Sequence, residues 1–134
     1  MQTCFGEASA TGLVVWVCLF FFLRHFHELQ AIENALKYRH QLGIVGGLLY
    51  VENAPAAMSL ASYITPMVAD IHYEKCIPEF RDAYAYINRE LAAALSTEYI
   101  NREEDLNIPG LRTAKLSYHP AHILRKFTAT IYVD

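Results

Sequence analysis

The sequence predicts a mainly α-helical chain: an N-terminal transmembrane helix continuing into an amphipathic helix, two further amphipathic helices, and an extended or β C-terminal tail. Three observations predict it. Residues 13–23, LVVWVCLFFFL, are apolar without a break, and residues 8–23 carry no charge. Further on, apolar residues recur at steps of three and four, as a helix with one buried face requires. The last residues instead alternate between apolar and polar, the period of a strand. The organisation that follows is a membrane anchor with its continuing helix over 1–43, an amphipathic helical region over 44–110, and an extended tail with a strand over 111–134.

The anchor is argued from length and charge. A helix over residues 8–23 would be roughly 24 Å long, against a hydrocarbon core of about 30 Å. Carrying it on to His27 closes the gap if Arg24 snorkels to the headgroups. Leu13, Trp16, Phe20, Phe21 and Phe22 would then face lipid or neighbouring subunits, with Arg24 at the interface. All 11 Lys and Arg residues follow Leu23. By the positive-inside bias this places the C-terminal part on the cytoplasmic side or its organellar equivalent, as at a mitochondrial inner membrane. The competing expectation is a soluble α+β domain in which the same stretch is the central helix.

The first helix should reach residue 42, because Phe22, Phe26, Leu29, Ile32 and Leu36 keep one stripe, and Gly43 stops it. Residues 43–51 are glycine-punctuated and partly β-branched, so they form a strand or begin a second apolar segment. Three glycines there, at 43, 46 and 47, suggest a flexible joint. A second span would bury Glu52, so a loop at 52–55 followed by an amphipathic helix over 56–75 costs less. Leu60, Ile64, Met67, Val68 and Ile71 would line that helix and Pro66 would kink it. Pro78, Glu79 and Asp82 then start the clearest helix, with a stripe of Phe80, Tyr84, Ile87, Leu91 and Leu95. Ser96 or Thr97 ends it or caps an acidic extension over 98–106, and residues 107–110 turn. Residues 111–118 read as extended, His119-Pro120 as a break, 121–126 as a helical turn, and 127–133 as a half-buried strand.

Composition narrows the function. A formal net charge of -3 with no basic stripe argues against nucleic acid. Three cysteines make no CxxC pair and no disulfide framework. No P-loop, dinucleotide glycine pattern, nucleophile elbow, HExxH or EF-hand loop occurs. His119 and His122 have a spacing zinc accepts, but no third ligand lies near them in sequence, so they are weak metal candidates. Asp70, Glu74 and Glu79 lie within reach of His72, with no motif to mark an acid–base centre. No cofactor is implied. The expectation is therefore a non-catalytic accessory subunit of a larger membrane complex, of respiratory or ATP-synthase type. Its partners would be other subunits and lipid, with no nucleic acid. The alternative is a soluble α+β domain that binds a small apolar ligand or dimerises.

Overall fold

Strands occupy the middle of the chain, where helices were expected. The computed structural model describes residues 2–5 and 26–131, in two units, Met1–Glu103 and Glu104–Asp134. The first unit runs β1 (Gln2–Phe5), α1 (Phe26–Lys37), α2 (Arg39–Leu42), β2 (Val45–Val51), β3 (Ala54–Thr65), β4 (Val68–Cys76), a 3-10 turn (Pro78–Phe80), α3 (Ala83–Leu95) and β5 (Tyr99–Asn101). These strands form one mixed sheet in the order β1-β2-β3-β4-β5. The pairs β1–β2, β2–β3 and β3–β4 are antiparallel, and β4–β5 is parallel. A parallel pair needs a crossover connection, and α3 supplies it. The second unit contains α4 (Pro109–Leu116).

The helix expected over 56–75 is the hairpin of β3 and β4, with Pro66 in the turn between them. The physical reason lies in what covers β3. Ala56, Ala57, Met58, Ser59, Leu60 and Ala61 are all buried. Met58 and Leu60 pack with Leu29, Ile32 and Leu36 of α1 on one face. Ala57 packs with Ala83 and Ile87 of α3 on the other. A strand covered on both faces is apolar throughout and loses the alternation that marks a half-buried one. Small alanines where α3 approaches then imitate a helix in composition. Nor are the glycines of β2 simply a joint. A Cβ on Gly46 would come within 2.7 Å of Leu60 Cδ2 and 3.1 Å of the Ser59 carbonyl oxygen, so β2 and β3 need the bare backbone there.

Both helix stripes are found in part, Phe22 and the Phe26 side chain lying outside what is described. Leu29, Ile32 and Leu36 are buried in α1, as are Ile87, Leu91 and Leu95 in α3. Gly43 closes α2 in the left-handed region at φ 62, and Ser96 closes α3 at φ 53. Phe80 and Tyr84 stay exposed, so the stripe of α3 is shorter than expected. The acidic extension over 98–106 is replaced by β5 and the irregular segment after it.

Several expectations are corrected. The mainly α architecture gives way to an α+β one, because the sheet is the element both helix stripes cover. The expected membrane location and mitochondrial inner-membrane setting are corrected to what the described residues show: no helix among them is long and apolar enough to cross a membrane. The stretch 13–23 and its proposed contacts Leu13, Trp16, Phe20, Phe21, Phe22 and Arg24 lie outside the described residues. In the second unit, residues 109–116 are helical where 111–118 was expected to be extended; Pro109 at the first turn suits the helix start. Residues 122–131 have neither the helical turn nor the strand that was expected. Alternation alone makes no strand without an edge to pair with.

Candidate active site

The pairing of β3 with β4 contains an irregularity that organises the chemistry. Leu60 lies opposite Tyr73 and Ala61 opposite Ile71, so His72 is an extra residue in β4. A bulge of this kind re-aims side chains. Ile71 packs on the α3 side of the sheet, and Glu74 receives a hydrogen bond from Asn88 of α3. Tyr73 packs against the cluster shared with α1, and Lys75 pairs with Glu28 of α1. His72 joins Tyr73 on the α1 side, so two neighbours in sequence line one cleft.

That cleft is open to solvent and measures about 480 Å³. Ala35, Leu42 and Ile44 form an apolar wall. Ser62, His72, Tyr73 and Glu103 form the polar one. His72 Nε2 stands 2.8 Å from Ser62 Oγ. Its Nδ1 stands 3.4 Å from Glu103 Oε1 and 3.9 Å from Asp70 Oδ2. Two carboxylates beside Nδ1 assign the proton to that nitrogen, which leaves Nε2 to accept from the Ser62 hydroxyl.

The carboxylates are themselves held. Asn101 Nδ2 donates to Asp70 Oδ1 at 3.0 Å, and the Glu103 N–H donates to Asn101 Oδ1 at 3.2 Å. Asp70 and Asn101 also face each other across the parallel pair. Glu103 sits at φ 53, a left-handed conformation that its surroundings must enforce. On the opposite side of the strand, Arg102 Nη2 donates to Glu74 Oε1 at 3.0 Å. The Glu74 side chain is only 8% exposed, so this pair fastens the segment after β5 to β4. Tyr73 also lines the cleft. Burial first, then the charges of Glu103 and Glu28, push its phenol above the ordinary tyrosine range, so it stays protonated at neutral pH.

Chemically, an imidazole between a hydroxyl and carboxylates can take a proton at Nε2 while the carboxylates stabilise the resulting positive charge. The same groups offer a second possibility. Asp70, His72 and Glu103 each place one ligand atom within 4.8 Å of the others, a set that could hold a divalent cation. His119 and His122 lie in the second unit, are exposed, and are not members of that set. Sequence reasoning named Asp70 and His72 together but missed Ser62 and Glu103. The signal for the first two is their i, i+2 spacing, which puts them on one face once 68–76 is read as a strand. Ser62 and Glu103 join them only through strand register.

Residues 23–130 match the family described as phosphatidylglycerol lysyltransferase, C-terminal. No curated protein matches the chain. Among solved structures the chain is similar to a conserved protein of unknown function from Bacteroides thetaiotaomicron, at 32% identity and a TM-score of 0.78. That likeness covers 91% of this chain and 45% of the other, so the chain spans less than half of that relative's length. The chain is also similar to an aminoglycoside 6'-N-acetyltransferase from Acinetobacter haemolyticus, at 17% identity, a TM-score of 0.66 and full coverage of both chains. A ribosomal-protein-alanine N-acetyltransferase from Brucella melitensis matches at 9% identity and a TM-score of 0.64, over 98% of this chain and 100% of that one. These two likenesses establish an acetyltransferase fold and nothing finer.

The expected non-catalytic accessory subunit of a membrane complex is thereby corrected: the chain has an acetyltransferase fold and matches the phosphatidylglycerol lysyltransferase C-terminal family model. The absence of a contiguous motif misled that expectation, because the site is assembled from β3, β4 and the residue after Arg102. The family match takes in that cleft and extends over most of the sequence, and on it the chain belongs to the phosphatidylglycerol lysyltransferase C-terminal family.

Proposed function

We propose that this chain transfers an acyl group from an activated ester to a hydroxyl or amine acceptor, with His72 as the general base. One observation carries the reading: in an open cleft, Nε2 holds a hydroxyl at 2.8 Å while Nδ1 is backed by carboxylates. The imidazole takes the proton of the attacking group. A bond forms to the acyl carbon, the donor's ester bond breaks, and the leaving group receives the proton. A positioned base of this kind contributes roughly 100-fold to 10,000-fold in rate.

The family's name supplies the substrates of this reading: a lysyl group and the glycerol headgroup of phosphatidylglycerol. A lysyl group brings a cationic amine, and Asp70 and Glu103 give the cleft a matching negative side. A lipid acceptor also keeps lipid among the partners. The test is lipid mass spectrometry of cells that contain phosphatidylglycerol and express the protein. Lysyl-phosphatidylglycerol should accumulate with the wild type and fall by about 100-fold or more with His72→Gln. A lipid profile that the wild type leaves unchanged would remove the lysyl and phosphatidylglycerol assignment. Full transfer by His72→Gln would remove the base.

A further inference from the structure

We propose that Ser62 carries the acyl group covalently between donor and acceptor, so that transfer runs in two steps. The inference rests on the transferase reading and deepens it. Its starting point is the hydrogen bond itself. The lone pair of Nε2 is already directed at Ser62 Oγ at 2.8 Å. An incoming acceptor must displace that hydroxyl to reach the base, whereas Ser62 is in place to give up its proton at once. Hydroxyl, imidazole and carboxylate stand in the order nucleophile, base, orienting acid, at 2.8 and 3.4 Å. Serine nucleophiles are activated by this arrangement, on whatever fold it occurs.

The placement of Ser62 supports the same role. The last residue of β3 that β2 pairs is Ala61, opposite Val45, so Ser62 begins the part of β3 that opens onto the cleft. Three residues earlier, Ser59 is 0% exposed, and its hydroxyl has no partner among the described residues. Two serines of one strand thus have opposite fates, and only Ser62 meets both a base and the cleft. Ser62 also lies between two irregularities of the β3–β4 register, after Leu60 and after Tyr63. Ser62 is still paired with Asp70 of β4, and a strand residue positions a nucleophile more firmly than a loop would. Tyr73 lines the same cleft and keeps its proton, which makes its O–H available to charge developing on the acyl oxygen.

In the first step Ser62 Oγ passes its proton to His72 Nε2 and bonds to the acyl carbon. The bond from that carbon to the leaving oxygen breaks, and the leaving oxygen takes the proton from Nε2. In the second step the acceptor's O–H or N–H gives its proton to Nε2, and its oxygen or nitrogen bonds to the acyl carbon. The ester bond to Ser62 breaks, and Oγ regains the proton. No oxidant, reductant or further reactant is needed.

The experiment uses p-nitrophenyl acetate as the donor probe, with release of nitrophenol followed in rapid mixing and the protein followed by peptide mass spectrometry. The wild type should show a burst of one equivalent and one acetyl group on the Ser62 peptide. Ser62→Ala should lose both, His72→Gln should slow acetylation by about 100-fold or more, and Ser62→Cys should restore labelling as a thioester. Thermal melts matching the wild type establish that each variant is folded. If the wild type gains no acetyl group on Ser62, and lysyl transfer to phosphatidylglycerol is unaffected by Ser62→Ala but lost in His72→Gln, the covalent step is overturned and His72 stands as base for direct transfer. If folded Ser62→Ala and His72→Gln both transfer at the wild-type rate, the site itself is overturned.

Discussion

One step along β3, from Leu60 to Ala61, corresponds to two along β4, from Tyr73 to Ile71. Without that extra residue, His72 and Tyr73 would point to opposite faces, and the cleft would lose one of them. The single-residue scale therefore decides whether this sheet carries chemistry. Asp70 and His72 are legible as a pair in the sequence, but a bulge leaves no mark in composition, so the partnership with Ser62 and Glu103 is not. Another residue-scale effect lies in the second unit. Asp105 accepts from Arg112 Nε and from the Asn107 N–H. The Arg112 guanidinium first, then that N–H, hold the Asp105 carboxyl below the ordinary carboxylate range. Its folded pKa thus lies below its unfolded one. The contribution is complete above the unfolded value and is lost as pH falls through the folded one. Amide chemical shifts of residues 105–116 followed on acidification should show this transition below the usual carboxylate range, and Asp105→Asn should abolish it. An Asp105 that titrates at an ordinary carboxylate value would contradict the pairing.

At the scale of elements, what fails from sequence is the choice between helix and strand for 54–76. Period and composition carry that choice when one face is wet. They lose it when both faces are covered, as they are for Ala57 and Met58, each 0% exposed. The turn itself falls inside the loop expected over 52–55. The β2–β3 hairpin turns on Glu52 and Asn53 at φ 51 and 65, a pair of left-handed residues without the glycine that such two-residue turns favour. Asn tolerates that conformation, while Glu meets the Cβ penalty of roughly 1–2 kcal/mol. Replacing the pair by Asn-Gly should therefore stabilise the protein by about 1 kcal/mol, with the candidate site residues untouched. Urea unfolding checks this: the midpoint should rise with no change in slope. A lower midpoint would mean that this turn is not of the left-handed type.

For the first unit as a whole, the sheet is the middle layer, with α1 on one face and α3 on the other. Ile32 anchors the first packing and Ile87 the second, at 1% and 0% exposure. Truncating either to alanine should cost about 2–5 kcal/mol, from lost burial and the cavity left behind. The two clusters share no residue, so the double variant should lose the sum of the two costs within about 0.5 kcal/mol. Denaturant unfolding of the two single variants and the double variant measures this, and a strong departure from additivity would show that the faces are coupled through the sheet.

The sequence by itself determined the apolar stripes of α1 and α3 and the glycine that ends α2, because a helical period and a left-handed stop are both written within a few residues of chain. Tertiary structure alone decided that 54–76 is a hairpin, since only a second covered face removes the alternation of a strand. It also decided the site. Ser62 is 10 residues from His72, and Glu103 is 31 residues from it, and only register, a bulge and a parallel crossover bring both side chains within hydrogen-bonding reach of the His72 ring.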